Sequence, residues 1–210
     1  MSAKIKEYRS NFCTFLGKQC NVEILHAYVE KALELSIIDR YFMVDMTRQI
    51  SDHEFLKEEF KRLSKRFGKR IFLRNSENQF SKISRKRHPN DVYWGAFYKI
   101  FPEFTDEDVV IKCDDDILYI DIERLEAAIE LRHLNPQPLI MHANCINNGV
   151  CAYHHYHKNI WRFNSDLINK YPSGGLSGPL FIDEGRSAKR MHDQFLEDML
   201  KNQDNIKKYQ

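Results

Sequence analysis

Three aspartates, Asp114, Asp115 and Asp116, stand side by side directly after an apolar run, in the stretch VVIKCDDDILYID over residues 109–121. Like charges that close repel and raise one another's pKa. Either something positive belongs there, or the stretch is an exposed turn with helix-capping duty. In an extended backbone alternate side chains point the same way, which puts Asp114 and Asp116 on one side and Asp115 elsewhere. Two carboxylates near a third oxygen or nitrogen donor suit Mg²⁺ or Mn²⁺. Such ions take few protein ligands and fill the remaining positions with water and substrate phosphates. The stretch SENQFSKISRKRHPND (residues 76–91) supplies the opposite sign through Lys82, Arg85, Lys86, Arg87 and His88. These can steady a diphosphate by charge-assisted hydrogen bonds. Phosphates bridged to acids by a divalent metal, with arginine or lysine on the flank, mean nucleotide-sugar or phosphoryl transfer.

The elements that must hold these groups follow a strand–helix rhythm. Residues 8–17 (YRSNFCTFLG) make a first strand closed by a glycine. Asn21 can cap a helix that carries Val22, Leu25, Val29, Ala32 and Leu33 as a 3.6-period stripe. RYFMVDMTR (40–48) is a buried-strand run. Asp52 can cap a second helix, with Phe55, Leu56, Phe60 and Leu63 inward and Lys57, Lys61, Arg62, Lys65 and Arg66 outward. KRIFLRN (69–75) is a third strand, VYWGAFYKIF (92–101) an aromatic helix, and EDVVIKC a fourth strand that delivers the acids at its C-terminal end. This order is the signature of a parallel, doubly wound sheet half, whose ligands bind beyond the carboxyl ends of the strands. Asp121 starts a further helix through Leu125, Ile129 and Leu131, broken before Pro136. PLIMHAN and VCAYHHYH read as strands around the NNG turn. His154, His155 and His157 would then alternate and could not all face one ion, so acceptor-side or packing roles suit them. A glycine-rich loop (171–179) precedes a last helix striped by Ala188, Met191, Phe195, Leu196 and Met199. The end, KNQDNIKKYQ, reads as a frayed tail or a linker to further domains.

At 210 residues the chain reads as one domain with a sizeable core. The net charge of +2 creates no global field favouring nucleic acid. Five cysteines, odd in number and without CxxC spacing, read as reduced thiols in a cytosol-like compartment. No apolar run approaches a membrane span, and the N-terminal residues lack the apolar core of a secretory signal.

CTFLGKQCN at the end of the first strand, VDMTR at the end of the second, and VVIKCDDDILYID together resemble GT-A nucleotide-sugar glycosyltransferases, most of all the amino-terminal domains of large chlorovirus glycosyltransferases. The resemblance covers nearly the whole chain and rests on a DxD-type motif after the fourth strand. It implies a GT-A fold: an α/β, Rossmann-like, mostly parallel sheet flanked by helices, with a smaller acceptor-side β portion. Residues 1–121 would be the nucleotide-binding half, 122–200 the sugar and acceptor half, and 201–210 the tail. The implied activity is metal-dependent transfer of a sugar, L-rhamnose or else glucose, from a UDP-sugar to a hydroxyl of a growing viral glycan in the host cytoplasm.

Carried over by motif, Thr14, Leu16 and Gly17 would lie along the nucleoside through their backbone. Asp45 and Arg48 would contact base and ribose or phosphate, and Asp91 and Trp94 would close over uridine, or else serve as a helix cap and a core aromatic. Asp114 would approach the ribose, and Asp116 would ligate Mn²⁺ or Mg²⁺ together with Asp114. Asp115 stays open between these and a structural role. His192 is the candidate third ligand, or a plain helix-surface histidine. An inverting enzyme also needs a carboxylate base, for which Asp183, Glu184 and Asp193 are candidates; a retaining enzyme need not have one there. Two other classes use parts of the same sequence. A metal-dependent phosphotransferase or nucleotidyltransferase would use the same acids at phosphorus. A nucleic-acid or partner-binding module would use the basic helix from Lys57 to Arg66 and need no acids.

Overall fold

The computed structural model describes residues 8–75, 95–96, 98–117, 119–137, 149–163 and 185–209. The chain divides into two compact units, Met1–Leu139 and Ile140–Gln210.

The first unit is built on four parallel strands: β1 (Ser10–Leu16), β2 (Arg40–Asp45), β3 (Ile71–Asn75) and β4 (Val109–Asp114), in the order β3-β2-β1-β4. β1 is central and buried along its whole length. Its even residues Phe12 and Leu16, with Tyr41 and Met43 of β2, face one layer of helices. That layer comprises α1 (Gln19–Glu34), α2 (Ile50–Phe67) and α3 (Ile122–Leu134), which contribute Val22, Leu25, Val29, Ala32, Leu33, Leu56, Leu63 and Ile129. The odd residues Cys13 and Phe15, with Phe42 and Val44, face Ala96 and Ile100 from the helical turns at residues 95–96 and 98–100. A sheet covered on both faces needs apolar residues at every position, which is why these strands read as continuous greasy runs. Leu25, Leu33 and Leu63 have no exposed surface (0%), and truncating such a residue to alanine costs about 2–5 kcal/mol.

The predicted helix starts are displaced. α1 begins at Gln19, so Asn21 lies inside its first turn, and the residue at the cap, Lys18, makes no side-chain cap bond. α2 begins at Ile50, which likewise puts Asp52 past the cap. Asp52 instead accepts a hydrogen bond from the backbone N–H of Gln19 (3.3 Å), so α2 satisfies the start of α1. Asp121 does cap α3, accepting from Arg124 N at 3.1 Å. α3 packs Ile129 into the core of the first unit, so the break between units falls after α3 rather than at residue 121.

The second unit contains α4 (Gly149–His157), α5 (Arg186–Lys201) and a 3₁₀ segment, Gln203–Tyr209. VCAYHHYH is thus helix, not strand: Ala152 and His155, one turn apart, are buried with Trp161 against Ala188, Met191 and Tyr209. On α5, Leu196 is 55% exposed, contrary to its expected inward place, and Gln194 and Asp198 are buried instead. Nor does the chain fray after Lys201. Tyr209 is 3% exposed, its hydroxyl donating to Asp198 (2.8 Å) and accepting from Gln194 Nε2 (3.2 Å). Among the described residues no helix is long and apolar enough to cross a membrane.

Candidate functional site

The strand order reverses direction between β1 and β4, and in open α/β sheets the crevice for ligands lies beyond the C-terminal strand ends at such a point. The register puts Asp45 opposite Leu16 and Asp114 opposite Phe15, so acids from β2 and β4 flank the end of β1. An open cleft of about 400 Å³ lies at the first turns of α1 and α2, lined by Lys18, Gln19, Cys20, Glu23, Gln49 and Asp52.

The three aspartates are not equivalent. β4 ends at Asp114, and Asp115 and Asp116 form a turn, so the alternation expected of an extended chain stops there. Asp114 still shares a side with Lys112, whose Nζ lies 2.9 Å from its Oδ1. Asp115 turns to β1: its Oδ2 accepts from Gly17 N (2.8 Å) and Lys18 N (3.0 Å). Those amides open onto the positive end of α1, where a fixed carboxylate is favoured. Gly17 permits the approach, since a Cβ there would stand 3.2 Å from the same oxygen. Asp115 therefore takes the structural role. Among the described residues, Asp116 receives no hydrogen bond from any other residue. Partial desolvation, then the charges of Asp114 and Asp115, raise its pKa above the ordinary aspartate value.

The strand-one and strand-two residues are placed differently from expectation. Thr14 and Leu16 are fully buried, and the backbone of each sits in the ladders of β1. Their side chains lie inside the sheet core; Leu16 is the last residue of β1, and Gly17 follows it at the strand end. Asp45 is also buried (2% exposed). Its Oδ1 accepts from Thr47 N (3.0 Å) and Oγ1 (2.7 Å), and its Oδ2 lies 2.5 Å from His53 Nδ1. It holds the β2–α2 turn, with Arg48 exposed beside it. His53 went unnoticed in the sequence because eight residues separate it from Asp45 across a strand end and a turn, a spacing with no helical or strand period.

In the second unit, His192 and Asp193 are exposed on α5, and Asp193 Oδ2 is 2.5 Å from Lys189 Nζ, one turn earlier. Arg85, Lys86, Asp91, Trp94, Asp183 and Glu184 lie outside the described residues.

The donors Asp114 and Asp116 fit a hard divalent cation in kind, being carboxylate oxygens at a crowded negative site. Among the described residues no group of three His, Cys, Asp or Glu side chains converges on one point. The basic face of α2 is largely neutralised from within. Arg62 pairs with Glu30 and Glu59, Arg66 with Glu30 and Glu34, and Lys61 with Glu58. Lys57 and Lys65 on the same helix are exposed and have no carboxylate partner among the described residues. No protein-family model matches the chain, and a search of curated proteins found no match.

Proposed function

We propose that the chain is a metal-dependent glycosyltransferase that moves a sugar from a UDP-sugar to a hydroxyl of a growing glycan. One observation carries the reading. Asp116 stands beyond the C-terminal end of β4, beside the reversal of strand order, crowded by like charge and without a partner among the described residues. A carboxylate kept in that state suits a bound cation better than a purely structural task. Asp116 and Asp114 would hold Mn²⁺ or Mg²⁺, with water and the donor's phosphates completing the shell. Such a cation, when bound, neutralises charge on a departing diphosphate. Asp115 keeps the β1–α1 turn closed against β4 and so fixes where its two neighbours stand. Arg85 and Lys86 are the candidates to steady the diphosphate, and Asp91 and Trp94 to close on uridine. Asp183, Glu184 and Asp193 are candidates to take the acceptor proton; Asp193 would first have to leave Lys189. L-Rhamnose is the proposed donor sugar and glucose the alternative, both on the resemblance.

The test combines binding and turnover. UDP should raise the melting temperature, and more so with Mn²⁺, because ligands of the native state stabilise it. Asp116→Asn should abolish both the metal increment and UDP-sugar turnover while the far-UV spectrum stays native. Undiminished turnover in that variant would sink the reading. Release of phosphate without glycoside formation would move the chemistry to phosphorus.

A further inference from the structure

The second unit contains an opening of about 550 Å³ lined by Lys158, Asn159, Ile160, Arg162, Asp198 and Lys208. Three cations line it with one carboxylate, and Glu197 adds a second on the rim, which leaves an excess of one positive charge. The lining carboxylate is already engaged: Asp198 is 6% exposed and accepts from the Tyr209 hydroxyl (2.8 Å) and Arg162 Nη2 (3.0 Å). Arg162 Nη2 also reaches Glu197 on the rim at 3.3 Å, which leaves its Nε and Nη1 without an acceptor among the described residues. Lys208 Nζ stands 3.8 Å from Asp198, beyond hydrogen-bonding distance. Lys158 has no carboxylate partner among the described residues. Asn159 is held at φ +55, a left-handed conformation that few side chains other than asparagine adopt readily, and it turns the chain around the opening between Lys158 and Ile160.

We propose that this opening binds a phosphate dianion, either free phosphate or the phosphomonoester of a small molecule. The buried Asp198 pins the Arg162 guanidinium in place and leaves its other edge for the ligand. Lys158 and Lys208 supply point charges, and the Asn159 amide a further donor. The guanidinium edge, the two ammonium groups and the amide offer more donors than a carboxylate such as acetate can take, and suit the several oxygens of a phosphate. The site lies within the second unit and depends on no part of the glycosyl-transfer reading.

The test is calorimetric titration of the full chain with inorganic phosphate, glucose 6-phosphate and acetate at one fixed ionic strength. Phosphate or glucose 6-phosphate should bind at least about tenfold more tightly than acetate, and whichever of the two binds tighter identifies the source. Lys158→Ala and Lys208→Ala change exposed side chains that hold no core contact, so both should fold. Each should weaken phosphate about thirtyfold, the effect of one unit charge on a dianion near 4 Å in water. Lys57→Ala on α2 should change nothing. Wild-type affinity in both pocket variants, equal weakening by Lys57→Ala, or acetate binding as well as phosphate would each overturn the proposal.

Discussion

Replacing Asp115 by alanine and its neighbour Asp116 by asparagine should shift stability in opposite directions. The Asp115 carboxylate accepts from two backbone amides, Gly17 N at 2.8 Å and Lys18 N at 3.0 Å. A shielded hydrogen bond to a charged group contributes about 1.5–3 kcal/mol, and a carboxylate at a helix start about 0.3–1 kcal/mol more. Here both donors share one oxygen and water reaches the site, so the expected loss for Asp115→Ala is about 2 kcal/mol, not the full sum. Asp115→Asn keeps an acceptor and loses the charge, and should fall between. Among the described residues Asp116 takes no such bond from another residue; partial desolvation and the charges of Asp114 and Asp115 act against its ionised form, and Lys112 offsets them only in part. Removing one like charge from a part-exposed cluster should add roughly 0.2–1 kcal/mol. Urea unfolding at neutral pH with a chelator present, followed by far-UV circular dichroism, measures both. Asp115→Ala within about 0.5 kcal/mol of wild type, a shift typical of neutral surface changes, would refute the structural role. Asp116→Asn less stable than wild type would refute the claim that its charge is uncompensated.

Other consequences concern the helix layer and the second unit. Glu59 is held down to about 2 from 4.5, first by its hydrogen bond with His26 and then by Arg62. Its folded pKa lies below the unfolded value, so its contribution is present above pH 4.5 and lost as pH falls toward 2. Solvent screening of this part-exposed group cuts that contribution to about 1 kcal/mol. Urea midpoints at pH 6 and pH 3 should therefore differ less in Glu59→Gln than in wild type. Tyr209→Phe removes the hydroxyl shared by Asp198 and Gln194, both 6% exposed, and should cost about 1–2 kcal/mol. Thermal melts of the full chain should show the loss, and deletion of residues 203–210 should lower the midpoint further.

What was legible in the sequence follows a divide between local and distant causes. The β–α rhythm, the α1 stripe from Val22 to Leu33 and the Asp121 cap all depend on residues within a few positions of one another. The starts of α1 and α2 do not. Asp115 reaches the β1–α1 turn from 98 residues away, and Asp52 reaches Gln19 from 33 away, so the nearest plausible caps, Asn21 and Asp52, were misassigned. VCAYHHYH misleads for another reason. Its valine and tyrosines favour strands by composition, while Ala152 and His155, one helical turn apart, carry the burial. On α5 the apolar stripe hid a polar one: Gln194 and Asp198 are buried because Tyr209 and Arg162 complete their hydrogen bonds.

The acid triplet shows how adjacency in sequence becomes inequality in space. Asp114 ends a strand and pairs with Lys112; Asp115 leaves the strand and takes two amides; Asp116 follows it around the turn and takes none from other described residues. Had they been a solvated turn, Asp115 would not be locked to Gly17, a position where even a methyl group would crowd it. Chains keep an uncompensated charge where function asks for it and resolve the rest. The arrangement thus separates one acid that fixes the β1–α1 turn from one that takes no bond from another described residue. A metal-binding enzyme needs both kinds, whereas a module that grips a polyanion through α2 needs neither, and three cations of α2, Lys61, Arg62 and Arg66, are tied to Glu30, Glu34, Glu58 and Glu59.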